Sequence, residues 1–197
     1  MSWEQVYQQW LNEENIPENL KNELKDLNTD PEKCEDAFYA PLEFGTAGMR
    51  GILGAGINRM NIFTVRQATE GLARFMDTQD PETKRRGVAI AYDSRHMSPE
   101  FAMEAAKTLA KHDIPSFVFE SLRPTPELSF AVRYFKAFAG IMITASHNPA
   151  AYNGYKVYGE DGGQMPPADA DALTKYVRSI ENSLKIDVLS DEEVAHS

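Results

Sequence analysis

Apolar positions in the first 44 residues recur every three or four places. Trp3, Val6, Tyr7, Trp10 and Leu11 form one such set, the spacing of an amphipathic helix. Pro17 opens a second short helix with Leu20, Leu24 and Leu27 on one face. Asp30-Pro31 starts a third, which must end near Pro41. The aromatic residues of this stretch read as packing against the rest of the chain, so residues 1–43 are expected to form a helical arm.

From residue 64 the pattern becomes a strand–helix alternation. A helix over 64–77 turns Val65, Ala68, Leu72 and Met76 inward. Residues 81–87 read as a polar, basic connector. A short apolar strand spans 88–92. Ser98 then caps a helix with Pro99 at its first position and Phe101, Ala105 and Leu109 on one face. A second strand covers 116–120. Thr125 caps a helix running to about 135, and a third strand covers 138–144. An Asn153-Gly154 turn leads into a fourth strand over 155–158. After a loop at 159–163, Pro166-Pro167 opens a last helix with Ala172, Leu173, Tyr176, Val177 and Ile180 as its apolar positions. Beyond Ile186 the chain is polar and reads as a frayed tail over 188–197. Strands alternating with helices imply an α/β fold. The expectation is three α/β/α layers around a mixed, mostly parallel sheet of about four strands. The main domain would occupy 44–187.

Composition narrows the class. At 197 residues, 42% hydrophobic and 25% charged, the chain suits one soluble globular domain. No apolar run approaches the ~18 residues that span a membrane. Residues 1–15 lack the basic n-region of a secretory signal. The single cysteine, Cys34, can form no internal disulfide and anchors no zinc site. A cytoplasmic location follows as the expectation. The net charge of −10 is unevenly spread: −8 over 1–44, +4 over 45–159 and −6 over 160–197. This acidity disfavours a nucleic-acid binder, while the basic centre suits a compact anion site.

Two places carry candidate chemistry. Residues 44–56 hold five glycines in thirteen positions, a run that lets backbone approach a ligand closely. Its spacing matches neither the P-loop nor the dinucleotide fingerprint. The second place follows from the fold class, because ligands of open α/β sheets sit at the carboxyl ends of strands. That rule selects Asp93-Ser94-Arg95 and Thr144-Ala145-Ser146-His147-Asn148-Pro149. A serine delivered there by a buried strand is exposed on rigid support. His147 beside it and Lys156 ten positions on supply a proton carrier and a cation. A Ser–His hydrolase is the weaker reading, since no G-x-S-x-G elbow is present.

The T-A-S-H-N-P loop, Asn153-Gly154-Tyr155-Lys156 behind it, Tyr92-Asp93-Ser94-Arg95 and the glycine-rich stretch over 44–59 together resemble the α-D-phosphohexomutase superfamily, the phosphoglucomutases and phosphomannomutases. The wording of 44–61 is most similar to the branch of bacterial α-phosphoglucomutases and phosphopentomutase-like relatives. The resemblance covers almost the whole chain and implies its first, phosphoserine-bearing domain. It implies that Ser146 carries a phosphoryl group, gives it to a hexose phosphate to form a 1,6-bisphosphate, and takes the other phosphate back. Lys156 is implied as general acid/base. His147 is implied in proton transfer or in holding the loop, and Arg50 as a partner of the phosphoryl group. Thr144, Asn148, Gly48 and Arg95 are implied to bind phosphate or substrate, though Asp93 and Arg95 could equally brace their own loop. Arg123 is a weaker candidate. His96, His112 and His196 read as surface residues, and Met49, Met60, Met142 and Met165 as packing.

The resemblance also implies parts that do not occur here. The family's aspartate-rich D-G-D-x-D-R loop, which holds Mg²⁺ against the phosphoserine, has no counterpart; Asp161-Gly162 is followed by Gly163-Gln164. The sugar-specificity and phosphate-binding loops of the later domains are missing too. Mg²⁺ would therefore touch this chain only through the Ser146 phosphate, and glucose 1,6-bisphosphate is the implied activator. The expectation is the catalytic-serine domain of a phosphoglucomutase-like enzyme, largely inactive alone. Its expected partners are a sugar phosphate and the remaining mutase domains, with neither nucleic acid nor membrane. Apolar surface left bare near the last helix would support a homodimer. A stand-alone phosphosugar- or partner-binding module and a phosphopentomutase or phosphomannomutase domain remain open.

Overall fold

The computed structural model describes residues 1–45 and 48–194. Thr46, Ala47 and the last three residues, with His196 among them, lie outside it. Three helices, α1 (Trp3–Leu11), α2 (Glu18–Leu27) and α3 (Pro31–Phe38), form the arm. Ser2 and Gln5 cap α1 reciprocally, and Asp30 accepts the Lys33 N–H to start α3. Trp10 meets Phe38 and Phe63 edge-on, with centroids 5.7 and 5.2 Å apart. The Tyr7 hydroxyl donates to the Leu24 carbonyl at 2.8 Å. The arm thus has its own core, and Phe63 joins it to the rest of the chain.

The remaining elements are β1 (Met49–Ile52), α4 (Ile62–Asp77), α5 (Pro81–Arg85), β2 (Val88–Tyr92), α6 (Ser98–Lys111), β3 (Ser116–Val118), α7 (Thr125–Phe135), β4 (Ala139–Ile143), β5 (Tyr152–Tyr158), α8 (Pro167–Arg178) and α9 (Asp191–Val194). The sheet order is β1-β5-β4-β2-β3. β2 lies parallel to β3 and β4, whereas β5 is antiparallel to both β4 and β1. Helices α4, α6 and α8 cover one face through Val88, Ile90, Ile141, Ile143, Tyr155 and Val157. α7 covers the other through Ala89, Ala91, Met142 and Tyr158. Three layers around a mixed sheet are present, and among the described residues no helix is long and apolar enough to cross a membrane.

Several local expectations need correction. The sheet gains a fifth strand, β1, hidden in the glycine-rich run. Asn153-Gly154 is no turn; both residues lie inside β5, where Gly154 opposes Arg50. Residues 81–85 are helical, capped by Asp80. α4 begins two residues early, because Asn61 accepts the Phe63 and Thr64 N–H groups at 3.0 and 3.1 Å. Ser98 and Thr125 are first helical residues rather than side-chain caps. His112 is no free surface residue: its ring nitrogens sit 2.8 Å from Asp77 and 2.8 Å from Glu70. Residues 187–191 are tied down to α6, through Lys111 to Asp187 at 2.6 Å and Lys107 to Asp191. Exposed apolar bulk lies not at the last helix but on β3 and α7, at Phe117, Phe130, Tyr134 and Phe135. The four methionines are buried, as packing requires.

Two tests follow. A Cβ on Gly71, in mid-α4, would stand 2.4 Å from Val177 Cγ2 and 2.9 Å from its Cα in α8. Helix propensity favours Gly71→Ala by ~1 kcal/mol, but overpacking costs about 1–3 kcal/mol. Because the obstacle is partly backbone, urea melts are expected to show a net loss; a gain would mean α8 shifts freely. The second test concerns pH. Burial raises the Asp77 pKa, but bonds from Lys84 and His112 outweigh this and hold it below the ordinary value of 3.8. A lowered folded pKa stabilises above the unfolded value and is lost as pH falls through the folded one. Asp77→Asn should therefore destabilise at pH 7, with the gap to the parent closing in melts carried below about pH 4.

Candidate active site

β4 is fully buried and is followed directly by Thr144, which is 7% exposed. Two residues on, Ser146 is exposed, with φ at +56°. A non-glycine residue in that region costs ~1–2 kcal/mol, so the surroundings must hold it there. The Thr144 hydroxyl accepts the Ser146 N–H at 3.0 Å, and the Asn148 N–H reaches the Ala145 carbonyl at 3.1 Å. The serine hydroxyl lies 3.3 Å from His147 Nδ1. Among the described residues no carboxylate bonds the His147 ring, so the orienting third member of a hydrolase triad is missing.

Strand register brings the cations to this loop. The Thr144 N–H donates to the Gly154 carbonyl at 3.0 Å, and Gly154 opposes Arg50. Residues opposed across strands share a face, so Thr144, Gly154 and Arg50 form one row. Lys156, opposite Met142, is the next residue of β5 on that face, since side chains alternate. Met142 and Tyr158 pack on α7; Arg50 and Lys156 thus emerge on the α7 side. Arg50 is exposed and donates to Asn148 Oδ1 at 2.9 Å. Lys156 is half-buried, and its side chain has no hydrogen bond or ion pair among the described residues. Two glycines keep the row open. A Cβ on Gly154 would meet the Thr144 carbonyl oxygen at 2.6 Å, and one on Gly48, at φ +96°, would meet the Tyr155 carbonyl oxygen at 1.9 Å. On the opposite face the Tyr155 hydroxyl meets Thr69 Oγ1 of α4 at 3.0 Å, and complete burial pushes this phenol well up.

The loop after β2 supports the serine loop from the other side. Asp93 Oδ1 accepts the Arg95 N–H at 3.0 Å and the Ser98 hydroxyl at 2.9 Å. Asn153, fully buried, donates its amide to Ser98 Oγ and to the His96 carbonyl, both at 2.9 Å. Its oxygen accepts the Gly154 N–H at 2.8 Å. Arg95 lies across this junction. Its guanidinium donates to the carbonyls of Ser146, Asn148, Pro149 and Tyr152 at 2.8, 2.7, 2.9 and 3.1 Å. Its Nε stands 3.5 Å from Asp93 Oδ2. Sequence reasoning misses Ser98 and Asn153 as parts of the site. Both read as local punctuation, a helix cap and a turn, and no signal in the residue string separates that from a buried bridge.

Other candidates do not converge here. Arg123 bonds Ser121 and Leu122 in its own loop and Glu127 in α7, and His96 is exposed. An apolar cleft of about 370 Å³ touches Phe44, Met49, Ile57 and Ile180. It opens on the α4 side of β1, opposite Arg50. Among the described residues no three His, Cys, Asp or Glu side chains are placed to hold a metal. Magnesium takes six oxygens in a near-ideal octahedron, and the donor set of the described residues does not build that site.

The chain is thus an α/β/α layered domain that presents a serine at the carboxyl end of a central strand, with arginine and lysine beside it. The family "phosphoglucomutase/phosphomannomutase, alpha/beta/alpha domain I" matches residues 41–184, and the chain belongs to it. It is 43% identical over 178 residues to the phosphoglucomutase of Staphylococcus saprophyticus, covering 90% of this chain and 31% of the relative. With the phosphoglucomutase of Staphylococcus aureus strain RF122 it shares 46% over 153 residues, 78% of this chain and 27% of the relative. A Thermus thermophilus protein assigned as a phosphomannomutase superposes with a TM-score of 0.64 at 32% identity, over 76% of this chain and 32% of that one. The Paramecium phosphoglucomutase parafusin, at 20% identity and a TM-score of 0.58 over 79% of this chain and 28% of that one, shares the fold. The chain thus spans about a third of the length of the relatives it matches.

Asn153 is the joint between the two loops. Replacing it by alanine leaves the His96 carbonyl and the Gly154 N–H without their side-chain partner and removes one of the two bonds of Ser98 Oγ, and an unsatisfied buried group costs about 1–3 kcal/mol. Asn153→Ala is expected to lose at least that much in denaturant melts. An unchanged midpoint would show that the network is not sustained in solution.

Proposed function

We propose that this chain is the phosphoserine-bearing domain of a phosphoglucomutase-like intramolecular phosphotransferase that interconverts glucose 1-phosphate and glucose 6-phosphate. One observation carries the reading: Ser146 is held exposed on a rigid loop that Arg50 grips through Asn148, with Lys156, whose side chain has no partner among the described residues, on the same face. The names of the relatives favour glucose over mannose. A cytoplasmic site of action goes with this reading. So does the division into an arm over 1–43, a catalytic domain over 44–187 and a tail over 188–197.

Serine hydroxyl is a weak nucleophile that needs a base, and phosphoryl transfer depends chiefly on positioning and charge neutralisation. In one direction the phosphorylated Ser146 gives its phosphoryl group to the free hydroxyl of a hexose monophosphate. The P–Oγ bond breaks, a P–O bond to the sugar forms, and the sugar hydroxyl proton ends on the serine oxygen. Lys156 handles that proton. The 1,6-bisphosphate then returns its other phosphoryl group to Ser146, and the proton goes back to the sugar oxygen left behind. Arg50 presents a planar fork suited to phosphoryl oxygens, and its bond to Asn148 orients it beforehand. Gly48 and Gly154 leave room on the row between the cations. Thr144 holds the Ser146 main chain, and His147, 3.3 Å from the hydroxyl, steadies it. Magnesium, where the complete enzyme binds it, would neutralise phosphoryl charge; this chain offers it one phosphoryl oxygen, and the other ligands would come from the remaining mutase domains.

Incubation with glucose 1,6-bisphosphate is expected to add one phosphoryl group, read by intact mass and absent in Ser146→Ala. Arg50→Ala and Lys156→Ala should each slow that uptake by about 10²–10³-fold, the usual loss for one charge-stabilising donor. Failure to take up phosphate at Ser146 under any sugar bisphosphate would overturn the reading in favour of a non-catalytic binding module. Rapid turnover of glucose 1-phosphate by this chain unaided would overturn the dependence on further domains.

A further inference from the structure

Arg95 is expected from sequence to bind phosphate, but its donors are committed elsewhere. A guanidinium has five N–H groups in one plane. Here the four terminal ones are directed at the carbonyls of Ser146, Asn148, Pro149 and Tyr152, while Nε stands 3.5 Å from Asp93 Oδ2. The side chain is only 13% exposed, and both of its terminal nitrogens are committed to loop carbonyls. Four carbonyl oxygens converging on one point repel one another unless a cation lies between them. Lysine, a point charge with three donors, cannot reach four acceptors spread in a plane.

Peptide geometry gives this clamp a consequence. In a trans peptide the C=O and the following N–H point in opposite directions, and no peptide among the described residues is cis. Drawing the Ser146 carbonyl down onto Arg95 turns the His147 N–H away from it, outward. That N–H has no acceptor among the described residues. It directly follows Ser146, whose +56° φ makes the type of backbone concavity that binds anions.

We infer that Arg95 is a positioning residue: by holding four loop carbonyls inward it presents the His147 main-chain N–H as the donor to a phosphoryl group on Ser146. The inference rests on the phosphoserine reading and adds to it a donor that is main chain rather than side chain. It also gives the buried guanidinium a second effect, a fixed positive charge beneath a group carrying about −1.5 to −2.

The test uses the whole chain, labelled with nitrogen-15, with phosphoserine encoded genetically at position 146 and, in parallel, with plain serine. The His147 amide proton is expected to move downfield on phosphorylation and to titrate with the phosphate near pH ~6. In Arg95→Lys that coupling is lost, and amide exchange over 146–152 speeds up roughly tenfold, the size of one net hydrogen bond. A merely structural role would lower the melting temperature while leaving the His147 amide titrating with the phosphate, and that result would overturn the inference. Should Arg95→Lys fail to fold, the parent spectrum decides: a His147 amide indifferent to the phosphate refutes the proposal. Because the phosphate is encoded, a chain unable to take up phosphate from a sugar bisphosphate would sink the functional reading and leave this measurement standing.

Discussion

The serine loop depends on β5 running antiparallel between β4 and β1. A purely parallel sheet would place only loops at the carboxyl end of β4. Here a strand returns alongside it and aligns Thr144, Gly154 and Arg50 in one row by main-chain hydrogen bonds. Lys156 follows by the two-residue repeat of the strand. The cations therefore owe their placement to register, which is strongly specified where one face is buried. Tyr155 and Val157 supply that specification against the helices. A slip of one residue would bury Lys156 and expose Tyr155 together.

The same arrangement explains which parts are legible in the residue string. Helices α4, α6 and α8 show their buried faces at 3–4 spacing, and β2 and β4 are unbroken apolar runs. Those signals reflect burial, which is local to each element. β1 is different. Gly51 and the neighbouring Gly48 weaken its strand pattern, and it exists because β5 offers it an edge. Asn153-Gly154 misleads for a related reason. The pair favours turns by its own backbone preferences, yet here the lack of a Cβ matters because the Thr144 carbonyl lies 2.6 Å from where one would stand. Tertiary crowding, not dihedral preference, requires the glycine.

Arginine shows the limit most plainly. Arg50, Arg95 and Arg123 all lie near strand ends, and one residue type serves phosphate, carbonyl and carboxylate equally well. The folded chain divides them by what reaches each guanidinium: an asparagine side chain, a ring of loop carbonyls, and a glutamate of the helix that follows. The basic central part of the chain thus overstates the charge open to an anion. Much of it is consumed in holding structure, including Arg66 and Lys107 around the nearly buried Glu104.

The arm has a practical bearing on where the domain can be cut. Family likeness spans 41–184, and an excised piece of that extent would look complete by alignment. It would not be complete physically. Phe63 of α4 and Ala55 of the glycine-rich run belong to the arm's core, and Glu23 accepts the Ala55 N–H at 2.8 Å. Lys185, one residue past the far end, pairs with Glu13 of the arm at 2.6 Å. Trimming to the alignment would strip Phe63, in the first turn of α4, of its aromatic neighbour Trp10 and leave an apolar patch facing water. Such a fragment invites aggregation for a reason unrelated to its chemistry. The boundary of ancestry and the boundary of cooperative folding fall in different places on this chain.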